Sequence, residues 1–150
     1  MGKSDLIKKH NIKIYFWYVI FGSDLLFYYG TRVLYLSEVK GISDSNIVFL
    51  STIFSFAAIL GIIFGNILNN KTTNKKTLII GDCISIVSLA LFILGRGFFE
   101  MIISQILTAI GFTLKNISLA PLLQESIQKE ENQSKVFSNI DGKAYFAYCI

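Results

Sequence analysis

The segment 14–36, IYFWYVIFGSDLLFYYGTRVLYL, constrains the fold more than any other part of the chain. It is slightly longer than the about 20 residues of helix that cross the hydrocarbon core of a bilayer. Asp24 lies at its centre and Arg32 lies two helical turns later, although a charge at mid-bilayer costs roughly 2.5–3.5 kcal/mol on insertion scales. A chain that keeps two charges there has to give them partners or water. We therefore expect a helical bundle around a polar pathway in which Asp24 takes part.

The composition is that of a multi-pass membrane protein. Hydrophobic residues make up 53% of the 150 residues and charged residues only 16%, against roughly 25% charged residues in soluble domains. The net charge of +4 does not indicate nucleic-acid binding, because the lysines lie at the ends of apolar runs, as topology signals do. One histidine, two cysteines in apolar segments and the lack of GxSxG, HExxH and Walker sequences predict no metal, no cofactor and no enzyme activity.

Apolar segments alternate with short polar ones along the whole chain. They predict four complete spans and the start of a fifth, at about 14–36, 47–68, 77–94, 101–123 and 140–150. Residues 1–150 are therefore expected to form one transmembrane bundle in the cell membrane. Basic residues before the first span and between the second and third place the amino terminus in the cytoplasm by the positive-inside rule.

Two of the predicted spans carry periodic small or polar residues. Ala57, Gly61 and Gly65 are spaced by four, which predicts a ridge for close helix packing. A polar stripe on the span 101–123 repeats at intervals of four, three, four and three residues, so its members share one helix face. The stripe comprises Ser104, Thr108, Gly111, Lys115 and Ser118.

The charged residues inside the spans each allow two interpretations. Asp24 is either a pathway carboxylate that contacts substrate or carries a proton, or a buried acid neutralised by Lys115, Arg32 or protonation. The functional interpretation is the default for an acid inside a membrane span. Lys115 differs in depth from Asp24 by only about 5 Å, so it either pairs with Asp24 or extends toward the inner surface. Arg32 either reaches the lipid headgroups, which is slightly favoured, or contacts substrate.

Two further residues are assigned on the same grounds. Tyr28 lies one turn from both Asp24 and Arg32, where it either donates a hydrogen bond in the pathway or packs among aromatic rings. Asp82 is a weaker candidate for the pathway, because it can reach the headgroups or the lysines of the loop 69–76.

Several strings resemble the N-terminal half of transporters of the major facilitator superfamily, as found in bacterial exporter-like members. They are GSDLLFYYGTRVLYL with VKGIS, then KKTLIIGD, IGFTLKNISLAPLLQESI and FSNIDGKA. The resemblance implies an all-α bundle that is a partial N-terminal half of the major facilitator fold, with four full spans and the start of a fifth. In that family, helices one and four both line the cavity, which implies a pathway of Asp24, Tyr28, Arg32, Thr108 and Lys115.

The same resemblance implies transport of an unidentified small molecule by alternating access, with H⁺ as a candidate coupling ion. Its partners would be the lipid bilayer and either a missing C-terminal half or another chain. The chain is therefore expected to be a truncated transporter that is inactive alone. The alternative is a small multi-span accessory or assembly protein without transport activity.

The loop between the second and third spans departs from the family pattern Gly-x-x-x-Asp-Arg/Lys-x-Gly-Arg-Arg/Lys. Lys71, Lys75 and Lys76 keep the basic positions, and Asn70 replaces the aspartate. In the family this loop is conformational, because the aspartate helps to hold the two halves in one state. Gln105 replaces a common arginine, which weakens the inference of proton coupling through that position.

Overall fold

The computed structural model describes residues 10, 13–18, 31–126, 138 and 142. About 91% of these residues are helical and none of them lies in a strand. The all-α prediction is therefore confirmed for the described part of the chain. Asp24, Tyr28, most of the predicted span 14–36 and nearly all of the segment 140–150 lie outside it.

The chain divides into two compact units, one of Phe27–Leu119 and the other of Met1–Leu26 with Ala120–Ile150. In the second unit, residues 13–18 are helical, and the rings of Phe16 and Trp17 meet edge to face with 5.8 Å between their centroids. The contacts described below all lie within Phe27–Leu119.

Three long helices follow one another in the chain: α1 (Asp44–Lys71), α2 (Asn74–Leu94) and α3 (Phe98–Ser126). Each is long and apolar enough to cross a membrane, α3 over Phe98–Leu122. At about 1.5 Å per residue, even α2 is about 30 Å long, which is the thickness of the hydrocarbon core. The part of the chain that the structure describes therefore contains three candidate spans, where the sequence predicts four over the whole chain.

Each helix extends beyond the apolar segment that predicted it. The segment 47–68 lies inside Asp44–Lys71, because polar residues at the ends still complete helical turns. The predicted loop 69–76 is consequently reduced to Thr72 and Thr73. Thr73 is the N-cap residue of α2, and its hydroxyl accepts a hydrogen bond from the Lys76 amide at 3.4 Å.

The helix before α1 also continues further than the sequence predicts. Residues 31–34 are helical and run into a π-helical turn, Tyr35–Val39, which extends beyond the end of the predicted span 14–36. Gly41 ends it with a φ of 64°, a left-handed conformation that favours glycine. Ser43 occupies the N-cap position of α1, but its side chain makes no capping hydrogen bond.

A buried apolar cluster joins these elements at one end. It comprises Leu36, Ile47, Leu50, Phe92 and Met101. Next to it, the Lys40 ammonium donates hydrogen bonds to the carbonyl oxygens of Ile93 at 2.9 Å and Gly95 at 2.6 Å. These are carbonyls at the C-terminus of α2, where the helix dipole favours a cation.

The turn from α2 to α3 is short and comprises residues 95–97. Glu100 lies in the first turn of α3, and its carboxylate accepts hydrogen bonds from the backbone amides of Arg96 and Gly97. This satisfies amides that a helix start leaves without a partner. The predicted turn at 95–100 therefore ends at Gly97.

Candidate functional site

Two glycines bring α2 and α3 into close contact. A Cβ atom added to Gly81 would lie 3.0 Å from the carbonyl oxygen of Gly111, and one added to Gly111 would lie 2.9 Å from that of Gly81. Small residues at such positions allow the backbones of membrane helices to approach each other. The polar stripe of α3 therefore faces α2.

This close approach places two opposite charges side by side. The Nζ atom of Lys115 lies 3.1 Å from Oδ1 of Asp82. Asp82 directly follows Gly81, and Lys115 lies one turn after Gly111, so the glycine crossing sets their separation. The Lys115 side chain is 16% exposed and the Asp82 side chain is 34% exposed, so the pair borders the surface of the described structure.

The pair lies well inside its helices. Asp82 is about 12 Å along the axis of α2 from Asn74, which is more than a third of the length of that helix. An isolated charge at such a depth in a membrane is costly. The opposite charge on the neighbouring helix offsets part of that cost. The sequence analysis did not consider a contact between these two residues, which the structure shows.

A cluster of hydroxyl groups lies further along the same interface. Ser88 donates a hydrogen bond to the Ser104 carbonyl oxygen at 2.8 Å, and the Ser104 hydroxyl donates to the Ser88 carbonyl oxygen at 3.1 Å. The Thr108 hydroxyl contacts the Ser88 hydroxyl and donates to the Ser104 carbonyl oxygen at 2.9 Å. Because Ser88 and Ser104 are buried, these contacts satisfy polar groups inside the helix interface.

Arg32 lies at a different helix contact. Its side chain is only 5% exposed, and its Nη2 atom donates a hydrogen bond to the Ser51 hydroxyl of α1 at 2.6 Å. The guanidinium carbon also lies 5.9 Å from the centroid of the Phe54 ring. The guanidinium therefore lies against α1, and both interpretations of Arg32, headgroup or substrate contact, stay predictions.

The small-residue ridge of α1 faces α3. Ala57, Gly61 and Gly65 are buried. A Cβ atom on Gly61 would lie 3.2 Å from the Thr113 Cβ, and one on Gly65 would lie 2.9 Å from Cδ1 of Ile117. The helix α3 therefore packs against α1 as well as α2. Accordingly, 39% of the most apolar 18-residue stretch of α3 is buried, against 22% of the corresponding stretches of α1 and α2.

Beside this contact lies an apolar cleft of about 330 Å³ between α1, α2 and α3. The basic residues of the predicted loop lie beyond one end of it. Lys71, Lys75 and Lys76 are all exposed, as is Asn70.

The described members of the predicted pathway lie in two separate places. Thr108 and Lys115 share the α2-facing side of α3, seven residues and about 10 Å apart, and Arg32 contacts α1. Sequence reasoning did not assign Ser51, Ser88 or the pairing of Asp82. The one signal for that pairing was the glycine near each charged residue, Gly81 and Gly111.

The residues that the structure describes are all-α and include three helices that are long and apolar enough to cross a membrane. Between the described helices α2 and α3, Lys115 forms an ion pair with Asp82, and the Ser88 hydroxyl donates a hydrogen bond to the Ser104 carbonyl oxygen. No protein-family model, curated protein or solved structure matches the chain.

Proposed function

We propose that this chain supplies membrane-embedded helices of a secondary transporter of the major facilitator type. The observation that carries the proposal is the Asp82–Lys115 ion pair inside two apolar helices of membrane length. Ionisable residues inside membrane spans are costly to keep and mark ion or substrate pathways by default. The local sequence resemblances to that superfamily support the same class.

In this proposal the protein moves an unidentified small molecule by alternating access, with H⁺ as a candidate coupling ion. Asp24, Tyr28, Arg32, Thr108 and Lys115 remain the proposed pathway residues, and the amino terminus faces the cytoplasm. An anionic group that approaches the exposed side of Lys115 would compete with Asp82 for its ammonium.

A second candidate function is that of a multi-span accessory or assembly protein without transport. The hydroxyl cluster favours it, because Ser104 and Thr108 direct their hydroxyl groups into contacts within the α2–α3 interface. In this interpretation the polar stripe holds helices together and lines no pathway.

The two functions differ in whether residue 24 meets water from both sides of the membrane. The test uses the full chain with Cys83→Ser, Cys149→Ser and Asp24→Cys, expressed in its native cells so that any second half or partner chain is present. Right-side-out and inside-out membrane vesicles are prepared from those cells. A membrane-impermeant maleimide is added to each preparation, and the modified fraction is measured by a mass shift.

A transporter that alternates its access should be modified at residue 24 from both sides. Ile86→Cys is the matched control, since Ile86 is 67% exposed near the middle of α2 and is expected to face lipid without reaction from either side. Modification of Asp24→Cys from one side alone, or from neither, would count against transport and favour the accessory function.

A further inference from the structure

The apolar cleft has the shape of a slot along the helix axes. Leu60, Phe64 and Leu68 line it from α1, and Ile80 and Ile84 line it from α2. Its third wall is α3, which contributes Ile106, Ile110 and Leu114. A volume of about 330 Å³ falls within the range of ligand pockets, roughly 300–1,000 Å³.

Both rows of lining residues lead to a lysine at the same end. Leu60, Phe64 and Leu68 repeat every four residues, and Lys71 follows three residues later. On α2, Lys76, Ile80 and Ile84 are spaced by four residues, and Lys76 is the one nearest the start of the helix. Because residues three or four apart are neighbours on a helix surface, Lys71 and Lys76 lie on the two faces that form the slot.

The third lysine of this region has a different position. Lys75 is turned by about 100° from Lys76 around the axis of α2, away from the row that lines the slot. Lys71, Lys75 and Lys76 are exposed, and the sequence from Asn69 to Lys76 contains no acidic residue. The end of the slot is therefore positively charged, whereas its walls are apolar.

We propose that this cleft, with Lys71 and Lys76 at its end, is a binding site for an anionic phospholipid. The ammonium groups would contact the lipid phosphate, as basic pockets between membrane helices do for acidic headgroups. An acyl chain would lie along the slot from Leu68 to Leu60, a depth of about 12 Å. Each methylene group that it buries there adds to the affinity through the hydrophobic effect.

The combination of the two features selects this ligand over its competitors. A helix from another protein would fill the slot without needing the lysines, and a water-soluble phosphate would use the lysines without needing the slot. Only an amphiphile with an anionic head uses both. The proposal requires that the helices lie in a membrane, and it holds whether or not the protein transports anything.

The test measures lipid binding to the purified full chain in detergent by native mass spectrometry. The probes are palmitoyl-oleoyl phosphatidylglycerol and palmitoyl-oleoyl phosphatidylcholine, which share their acyl chains. We expect tighter binding of the anionic lipid. The double variant Lys71→Gln with Lys76→Gln should weaken its binding by about 25-fold, since each lysine near an anionic lipid contributes about fivefold.

Three further variants separate the parts of the site. Lys75→Gln removes the same charge from the same region and should weaken binding by less than about twofold if position matters. Lys71→Arg with Lys76→Arg should keep the preference for the anionic lipid. Leu60→Trp fills the slot and should weaken the binding of both lipids, with helix content by circular dichroism as the check on folding.

The proposal would be overturned by equal binding of the two lipids, or by equal losses for Lys75→Gln and the single variant Lys76→Gln. Competition by glycerol phosphate at the same concentration as the lipid would show that the slot plays no part. A folded Leu60→Trp protein with unchanged lipid binding would show the same. If Leu60→Trp does not fold, the lysine variants alone decide the outcome.

Discussion

Lys115 on α3 forms an ion pair with Asp82 on α2, with 3.1 Å between Nζ and Oδ1. The glycines beside these residues allow the two backbones to come close enough for this contact. The pair is therefore part of the packing of α2 on α3, whatever further role it has.

Lys115→Met should destabilise the protein, because it leaves the Asp82 carboxylate without its ammonium partner. We expect a loss of roughly 1–3 kcal/mol, below the roughly 3–5 kcal/mol for a fully buried pair, since both side chains are partly exposed. Thermal unfolding in detergent measures the effect. The exchanged pair, Asp82→Lys with Lys115→Asp, should recover part of the loss, and a double-mutant cycle isolates the coupling. Additive single effects would contradict the pairing.

Gly111→Ala should force α2 and α3 apart. The added Cβ atom would lie 2.5 Å from the Ser85 hydroxyl oxygen and 2.9 Å from the Gly81 carbonyl oxygen, so a backbone has to move. We expect a loss of about 1–3 kcal/mol, as for other overpacked sites. Gly97→Ala is the control, because nothing lies within 4 Å of the position of its Cβ atom. Equal melting temperatures for the two variants would rule out the close contact.

Ser51→Ala should destabilise the protein because it removes an acceptor of the Arg32 guanidinium. Loss of a partner from a buried charged donor costs about 1–3 kcal/mol, and Arg32 is 5% exposed. The control for Ser51→Ala is Ser55→Ala, which removes a serine hydroxyl one turn further along α1. The Ser55 hydroxyl donates only to a carbonyl of its own helix, that of Ser51, so its loss should be small. Identical denaturation curves for the two variants would argue against a stabilising hydrogen bond from Arg32 to Ser51.

Ser88→Ala should weaken the α2–α3 contact modestly. The Ser88 hydroxyl donates to the Ser104 carbonyl oxygen and contacts the Thr108 hydroxyl. Hydrogen bonds between membrane helices contribute about 0.6 kcal/mol on average, and we expect a loss of about 0.5–2 kcal/mol. Chemical denaturation in detergent measures this loss of stability. The control is Ser45→Ala, because Ser45 is exposed in the first turn of α1.

Lys40→Met should loosen the end of the bundle at which α2 meets the π-helical turn. The Lys40 ammonium donates to two carbonyl oxygens at the C-terminus of α2, and hydrogen bonds to charged groups contribute about 1.5–3 kcal/mol. Hydrogen exchange should rise at Leu94 and Gly95 and stay unchanged at Asn74, at the other end of α2. Uniform exchange along α2 would argue against a local role.

The sequence was sufficient to locate the three long helices. The segments 47–68, 77–94 and 101–123 each fall inside an observed helix, because a run of apolar residues of that length has few alternatives. The helix ends were less predictable. Polar residues such as Asn70 and Lys71 continue a helix as readily as they begin a loop, and hydropathy does not separate the two.

The candidate site was predictable only in part. Helical periodicity correctly placed Thr108 and Lys115 on one face of α3. It could not tell which helix that face would meet, because this depends on the crossing geometry and on the register across residues 95–97. The pairing of Asp82 with Lys115 follows from that register. Asp24 and Tyr28 lie outside the described residues, so their assignments stay predictions.

The connection between α1 and α2 consists of Thr72 and Thr73 alone. Three Cα–Cα steps reach at most about 11 Å, and the hydroxyls of Thr72 and Thr77 are 2.9 Å apart across the bend. The short connection therefore tethers α1 and α2 at this end and favours their insertion into a membrane as one helical hairpin. A change in the angle between them would have to be taken up within these two residues or by bending of the helices.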